Sequence, residues 1–238
     1  MAKKFYIGDN SIAHQVKQAY IGIDDTARKI KKGYIGIDGI AQKFYENLTL
    51  VQTTKSTAKI QLNSFTEGAK TLTGYVTGLS NTYTPTVTWT TNAPGGFILD
   101  QYDDSEAIAF KIWINGRGTT MSVSSINTRL ASTTYDEDTY MEIMGASGCP
   151  SGNLYTVTIM IDFGRARSYT LNRKQAVGTG NTGDCTCYVS SDKSTWTSAS
   201  GTVTNKRYFK IELTKLERFE AYPWSYLYFS NITDWVYQ

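Results

Sequence analysis

The chain has one histidine, three cysteines and four prolines in 238 residues, and no run of roughly 18 apolar residues. Each scarcity excludes something. A single imidazole, His14, removes most metal centres and most nucleophile–histidine arrangements, because each needs a histidine at the chemistry. The cysteines, Cys149, Cys185 and Cys187, are odd in number and lack metal-like CxxC spacing. In Cys185-Thr-Cys187-Tyr-Val189 strand alternation puts both close thiols on one face with Val189, as small buried hydrophobes. No transmembrane helix and no membrane insertion are expected. The opening MAKKFYIGDN carries charge without the apolar stretch of a secretory signal, so synthesis in a cytoplasm without signal-directed export is expected. With few prolines against 17 tyrosines and five tryptophans, the composition suits many strands.

Charge is short of one sign only at the start. Residues 1–46 hold eight basic and five acidic side chains, and the remainder is balanced at 16 of each. An excess of +3 is too thin for a nucleic-acid footprint, which needs a denser basic patch. The same region repeats with a period of 14: KKFYIGDNSIAHQV from residue 3, KQAYIGIDDTARKI from 17 and KKGYIGIDGIAQKF from 31. Tyr6, Tyr20 and Tyr34 align, as do Gly8, Gly22 and Gly36. Such ungapped register marks a tandem structural unit. Asp38-Gly39 is a strong two-residue hairpin signal, which would set Ile37 opposite Ile40 and Gly36 opposite Ala41. His14 falls in a slot taken by Arg28 and Gln42, a variable polar position without a catalytic role. A lone hairpin is marginal in water, so three of them must stack on each other, join a sheet or bury their isoleucines against a partner, and docking on a larger assembly is the expectation. Tyr6, Tyr20, Tyr34, Ile35, Ile37 and Ile40 are the candidate docking residues.

The phrase YIGIDGIAQKFY resembles short tandem repeats near an end of virion proteins, especially tail and baseplate proteins, of phages of Gram-positive bacteria. The resemblance implies location in a virion, other virion proteins as partners and a closed homo-oligomer.

From Asn47 a threonine-rich stretch leads into alternating segments: GYVTG, TVTWTT, AIAFKIWIN, YTVTIMIDF, RYFKIEL and LYFSNI. Period-2 alternation broken by groups such as Asn115-Gly116-Arg117-Gly118 predicts an antiparallel β-sandwich over 47–238, behind a hairpin module over 1–46, with little helix. TIMIDFGRARSYTL, CYVSSDKSTWTSA and KRYFKIEL are, in that order, similar to the galactose-binding-like jelly roll of the discoidin type. The matching positions are Asp162-Phe163-Gly164, Ser191-Asp192 with Trp196, and Arg207-Tyr208 with Ile211. That resemblance implies an all-β fold and, in many relatives, a loop edge that binds glycan or lipid, with Trp196 used for packing.

Other motifs favour bland readings. Gly178-x-Gly180-x-x-Gly183 spells a dinucleotide fingerprint, but a strand-like segment follows instead of a helix, so a loop is expected. Carboxylates in 102–106 and 135–139 lack EF-hand spacing and read as solvated loops. No cofactor, no metal and no catalytic residue are expected. Sugars stack on exposed aromatic faces, which makes Trp113, Trp224 and Tyr226 candidate glycan contacts. The sequence thus points to a virion protein docked through its repeats that displays a lectin-like sandwich to host-surface glycans. A purely structural tail, baseplate or capsid-surface component is the alternative, and a glycan-cleaving enzyme is disfavoured.

Overall fold

The structure, a computed structural model, describes residues 50–119, 121–175 and 184–237 in full and the backbone of six strands between residues 6 and 46. The chain divides into two compact units, residues 1–51 with 236–238 and residues 52–235. The sequence expectation set the boundary at 46/47.

In the first unit, β1 (Tyr6–Asp9) pairs with β2 (Ile12–Gln15), β3 (Tyr20–Ile23) with β4 (Thr26–Lys29), and β5 (Lys32–Ile37) with β6 (Ile40–Glu46), all antiparallel. The glycine of each phrase stands opposite its alanine: Gly8 with Ala13, Gly22 with Ala27, Gly36 with Ala41. Ile37 pairs with Ile40. The side chains of Tyr6, Tyr20, Tyr34, Ile35, Ile37 and Ile40, and with them the expected docking face, lie outside the described residues. So does the glycine motif at 178–183.

From residue 50 onward the strands are β7 (Leu50–Leu62), β8 (Thr71–Thr77), β9 (Thr86–Thr91), β10 (Phe97–Ile98), β11 (Ile108–Ile114) and β12 (Arg117–Thr119). After helix α1 (Val123–Leu130) come β13 (Thr139–Gly145), β14 (Tyr155–Lys174), β15 (Asp184–Ser190) and β16 (Thr197–Ser198). β17 (Thr202–Leu216), β18 (Ala221–Trp224) and β19 (Tyr226–Tyr237) complete the chain. The protein is all-β, 60% strand and 4% helix, with antiparallel sheets; β10 and β11 form a two-residue parallel exception.

One sheet runs β16-β15-β17-β14-β19-β7-β8-β9, and β14 also pairs with β9. The other runs β10-β11-β13-β18, with β12 beside β11. Alternation buries one face of each strand: Val157, Ile159, Ile161 and Phe163 of β14 are all fully buried. β11 departs from this pattern. Ala109 and Lys111 are buried as well as Ile108, Phe110 and Ile112, because a second apolar cluster of Ile98, Ala107, Ala109, Met144, Ala146 and Ala221 covers the other side. Ile114, in alternation with Ile108, Phe110 and Ile112, is nevertheless 44% exposed at the tip of the β11–β12 hairpin. There Asn115 and Gly116 both take positive φ, as a type I′ turn requires.

The helix is short but capped. Ser122 accepts from Ser125 N while Ser125 Oγ accepts from Ser122 N, and Ile126 and Leu130 bury its inner side.

The closure of the large sheet is set in the middle of β14. Residues Val157–Asp162 pair with β9, and Thr170–Lys174 pair with β19, both opposite the β17 edge. Between them β14 bulges: from Asp162 to Arg167 it spans five positions while β17 steps back only from Tyr208 to Lys206. Asp162 accepts from Gly164 N at 2.8 Å and from Arg207 Nε and Nη2 at 2.8 and 2.9 Å. Gly164 sits at φ +72°, where a side chain would be strained. Past the bulge, Arg167 donates to Asp234 Oδ1 at 2.9 Å and to Thr233 O at 2.7 Å, and both charged side chains are fully buried. Ser80 N and Oγ complete the shell of Asp234. Inside the bend, Phe163, Tyr169, Phe209 and Phe229 meet edge-on or tilted, with ring centroids 5.1–6.4 Å apart.

Removing one member of a buried pair strands the other charge, so Arg167→Met should lower unfolding free energy by about 3–5 kcal/mol in urea titrations. Burial pushes the Asp234 carboxyl up, but the Ser80 N–H, the Arg167 guanidinium, the Trp235 N–H and the Ser80 hydroxyl together hold it below its usual value. The stability this adds is present above the unfolded value, about 3.9, and is lost as pH falls through the folded one. Asp234→Asn should therefore flatten part of the acid limb of stability against pH.

Candidate functional site

A cavity of about 570 Å³ lies against the small sheet. Its floor is Phe110, Leu99, Met121 and Trp113; its polar groups are Glu67, Asp100, Gln101, Lys111 and Thr119. β11 supplies Lys111 and Trp113 from one face of the strand, and the neighbouring β12 supplies Gly118 and Thr119. Phe110 also comes from β11 and Met121 from the segment between β12 and α1, and the residues after β10 and the β7–β8 connection supply the rest.

Lys111 is only 9% exposed, and its ammonium sits 3.7 Å from the centre of the Trp113 ring. Gly118 makes that path possible, since a Cβ there would lie 2.6 Å from Lys111 Cε. Glu142 stands across from Lys111 on β13, and Tyr140 across from Trp113. The indole Nε1 of Trp113 donates to Glu142, and the Trp113 and Tyr140 rings stack at 6.3 Å. Burial pushes the Glu142 carboxyl up, against the Trp113 hydrogen bond and the Lys111 charge; burial likewise pulls Lys111 down, against Glu142. On the rim, Glu67 accepts from Leu99 N at 3.3 Å, and burial, then Asp103 and Asp100, raise its carboxyl. Gln101 is 8% exposed, and its Oε1 is buried without a hydrogen-bond partner among the described residues.

The three aromatic residues singled out from sequence are not brought together. Trp113 is half-buried and lines the cavity. Trp224, a candidate glycan contact by sequence, is 1% exposed and packs on Tyr222, so it belongs to the core, on a buried strand paired with β13. Tyr226 is half-buried on β19 beside Tyr228, away from the cavity lining. Glu67, Gln101, Lys111 and Glu142 were not singled out. Lys111 shares the Trp113 face by simple alternation; the others depend on chain segments far apart in sequence.

The acidic loops are used locally. Asp103 accepts from Ser105 N at 2.7 Å, Asp136 from Asp138 N and Thr139 N, and Glu106 from the Tyr155 hydroxyl, which that bond pushes up to about 12. Among the described residues no group of three or more His, Cys, Asp or Glu could hold a metal, and no helix is long and apolar enough to cross a membrane. No family model matches the chain, and comparison with curated proteins gives no match.

The cavity offers acceptors around an apolar floor, with one cation set inside. That arrangement suits a small neutral ligand rich in hydroxyl donors. The buried charges make a local prediction. A raised carboxyl costs stability once pH passes the unfolded value of about 4.3, so Glu142→Gln, which keeps an acceptor for Trp113, should match or exceed wild type at pH 7. Lys111→Met, which leaves the carboxylate without its cation, should be less stable by about 1–3 kcal/mol in the same urea titrations.

Proposed function

We propose that this chain is a virion protein of a phage of Gram-positive bacteria that docks on the particle through its 14-residue repeats. Its C-terminal part, read as a galactose-binding-like jelly roll of the discoidin type, displays a glycan-binding cavity toward the host surface. Its role is binding rather than catalysis. One observation carries the reading of the site: an open cavity of about 570 Å³ with an apolar floor and a rim of Glu67, Asp100 and Gln101 acceptors. Sugar hydroxyls donate to such acceptors. The acidic rim disfavours an anionic ligand.

Affinity at one small cavity is modest, and copies arrayed on a particle make it effective by raising the local concentration of sites. The purely structural reading requires no ligand at all. Full-length protein applied to a glycan array and to whole Gram-positive cells separates the two. Wild type should bind a neutral glycan, Trp113→Ala should weaken binding at least about tenfold, near 1.4 kcal/mol, and Tyr226→Ala should leave it intact. Absence of binding to any envelope glycan, or wild-type binding by Trp113→Ala, would sink the lectin reading.

A further inference from the structure

Strands β14, β15 and β18 bring Arg173, the Cys185–Cys187 pair and Tyr222 into one cluster, remote in sequence from every cavity-lining residue. Cys185 and Cys187 lie on one face of β15; Leu213 and Ile211 of β17 stand beside them in register. Arg173 Nη1 is 2.8 Å from the Cys185 sulfur and 3.7 Å from that of Cys187. Its guanidinium carbon lies 5.9 Å from the centre of the Tyr222 ring. Among the described residues Arg173 forms no ion pair with a carboxylate, so the group facing this cation is sulfur.

The three thiols differ sharply. Cys149 is fully buried, donates its S–H to Ala107 O at 3.0 Å, and is pushed up by burial. Cys187 is 5% exposed and raised by its contact with Cys185 and by burial. Cys185 is part-exposed, and the Cys187 S–H, helped by Tyr222 and Arg173, holds it down to about 7 against burial. A thiolate with a cation at hydrogen-bond distance and access to solvent is the reactive form of cysteine.

We infer that Cys185 is a reactive thiolate and a site of S-thiolation by low-molecular-weight disulfides. The Cys185 sulfur donates an electron pair to one sulfur of the disulfide, the new S–S bond forms as the old one breaks, and the other half leaves as a thiolate that takes a proton from water. Arg173 and Cys187 are positioning residues, one supplying charge and the other an S–H donor. Two residues apart on an extended strand spans about 6.6 Å, well beyond the roughly 3.5–4.5 Å between Cβ atoms that a disulfide needs. Cys187 is therefore poorly placed to resolve the mixed disulfide, and the adduct persists while β15 stays folded.

The test uses the full-length protein at pH 7, with iodoacetamide and, separately, oxidised glutathione as probes, and reads each cysteine by peptide mass spectrometry. Cys185 should be alkylated faster in the native chain than in the same chain unfolded in urea, and should take up one glutathione. Cys149 and Cys187 should be slower native than unfolded, as burial alone dictates. In Arg173→Gln the native rate at Cys185 should drop below its unfolded rate. Should that variant not fold, the native-to-unfolded ratio in wild type decides alone. A ratio at or below one for Cys185, or glutathione found on Cys149 or Cys187 instead, overturns the assignment.

Discussion

The large sheet depends on a fully buried ion pair at a bend. Arg167 leaves the bulge of β14 and meets Asp234 of β19 where neither side chain touches solvent. A buried pair is weak evidence for net stability, because desolvation offsets most of the attraction. Its contribution here is direction. Arg167 also donates to Thr233 O and Tyr83 O, and Asp234 accepts from Ser80, so the β8–β9 connection, β14 and β19 are fixed against one another by charge-assisted bonds. Hydrophobic packing alone would tolerate other arrangements of these segments.

That bend explains how one strand of 20 residues serves two neighbours along the same edge. Before the bulge β14 is held by β9 and after it by β19, so β14, β9, β8, β7 and β19 form a closed path of pairings. Closure removes open edges that would otherwise pair with other chains. The four-ring aromatic cluster fills the concave side of the bend, while Arg165 lies over Trp235 at 3.7 Å. The bidentate Arg207–Asp162 contact then ties the bulge to β17.

What was legible in the sequence follows the range of the interaction. Alternation located β9, β11, β14, β17 and β19, since period-2 burial is written into neighbouring residues. Asn115-Gly116 announced its turn for the same reason, the demand for positive φ being local. Burial of both faces of β11 was not legible, because the alanine-rich cluster that covers it is assembled from four separate segments. Trp224 misleads for a related reason: Pro223 signals an edge or a loop, and β18 is the edge strand of the small sheet, yet that edge is covered, leaving Trp224 buried. At the candidate site only Trp113 was readable, because an aromatic ring announces itself. Glu142 became relevant only through the register that places it opposite Lys111.

The placement of charge around the cavity narrows what it can hold. Lys111 and Glu142 are opposite charges on adjacent strands, each 9% exposed, with an indole rather than direct ion pairing between them. Trp113 accepts the cation on its face and donates its N–H to the carboxylate, so it completes a cation–ring–anion relay that is close to neutral as a unit. A neutral relay leaves Glu67 and Asp100 to set the sign of the rim. An incoming anion would meet that rim before it could reach the ammonium, which the ring already covers. A neutral polyol would meet no such barrier. The same relay fixes the ring in place before any ligand arrives, which reduces the ordering cost of binding there.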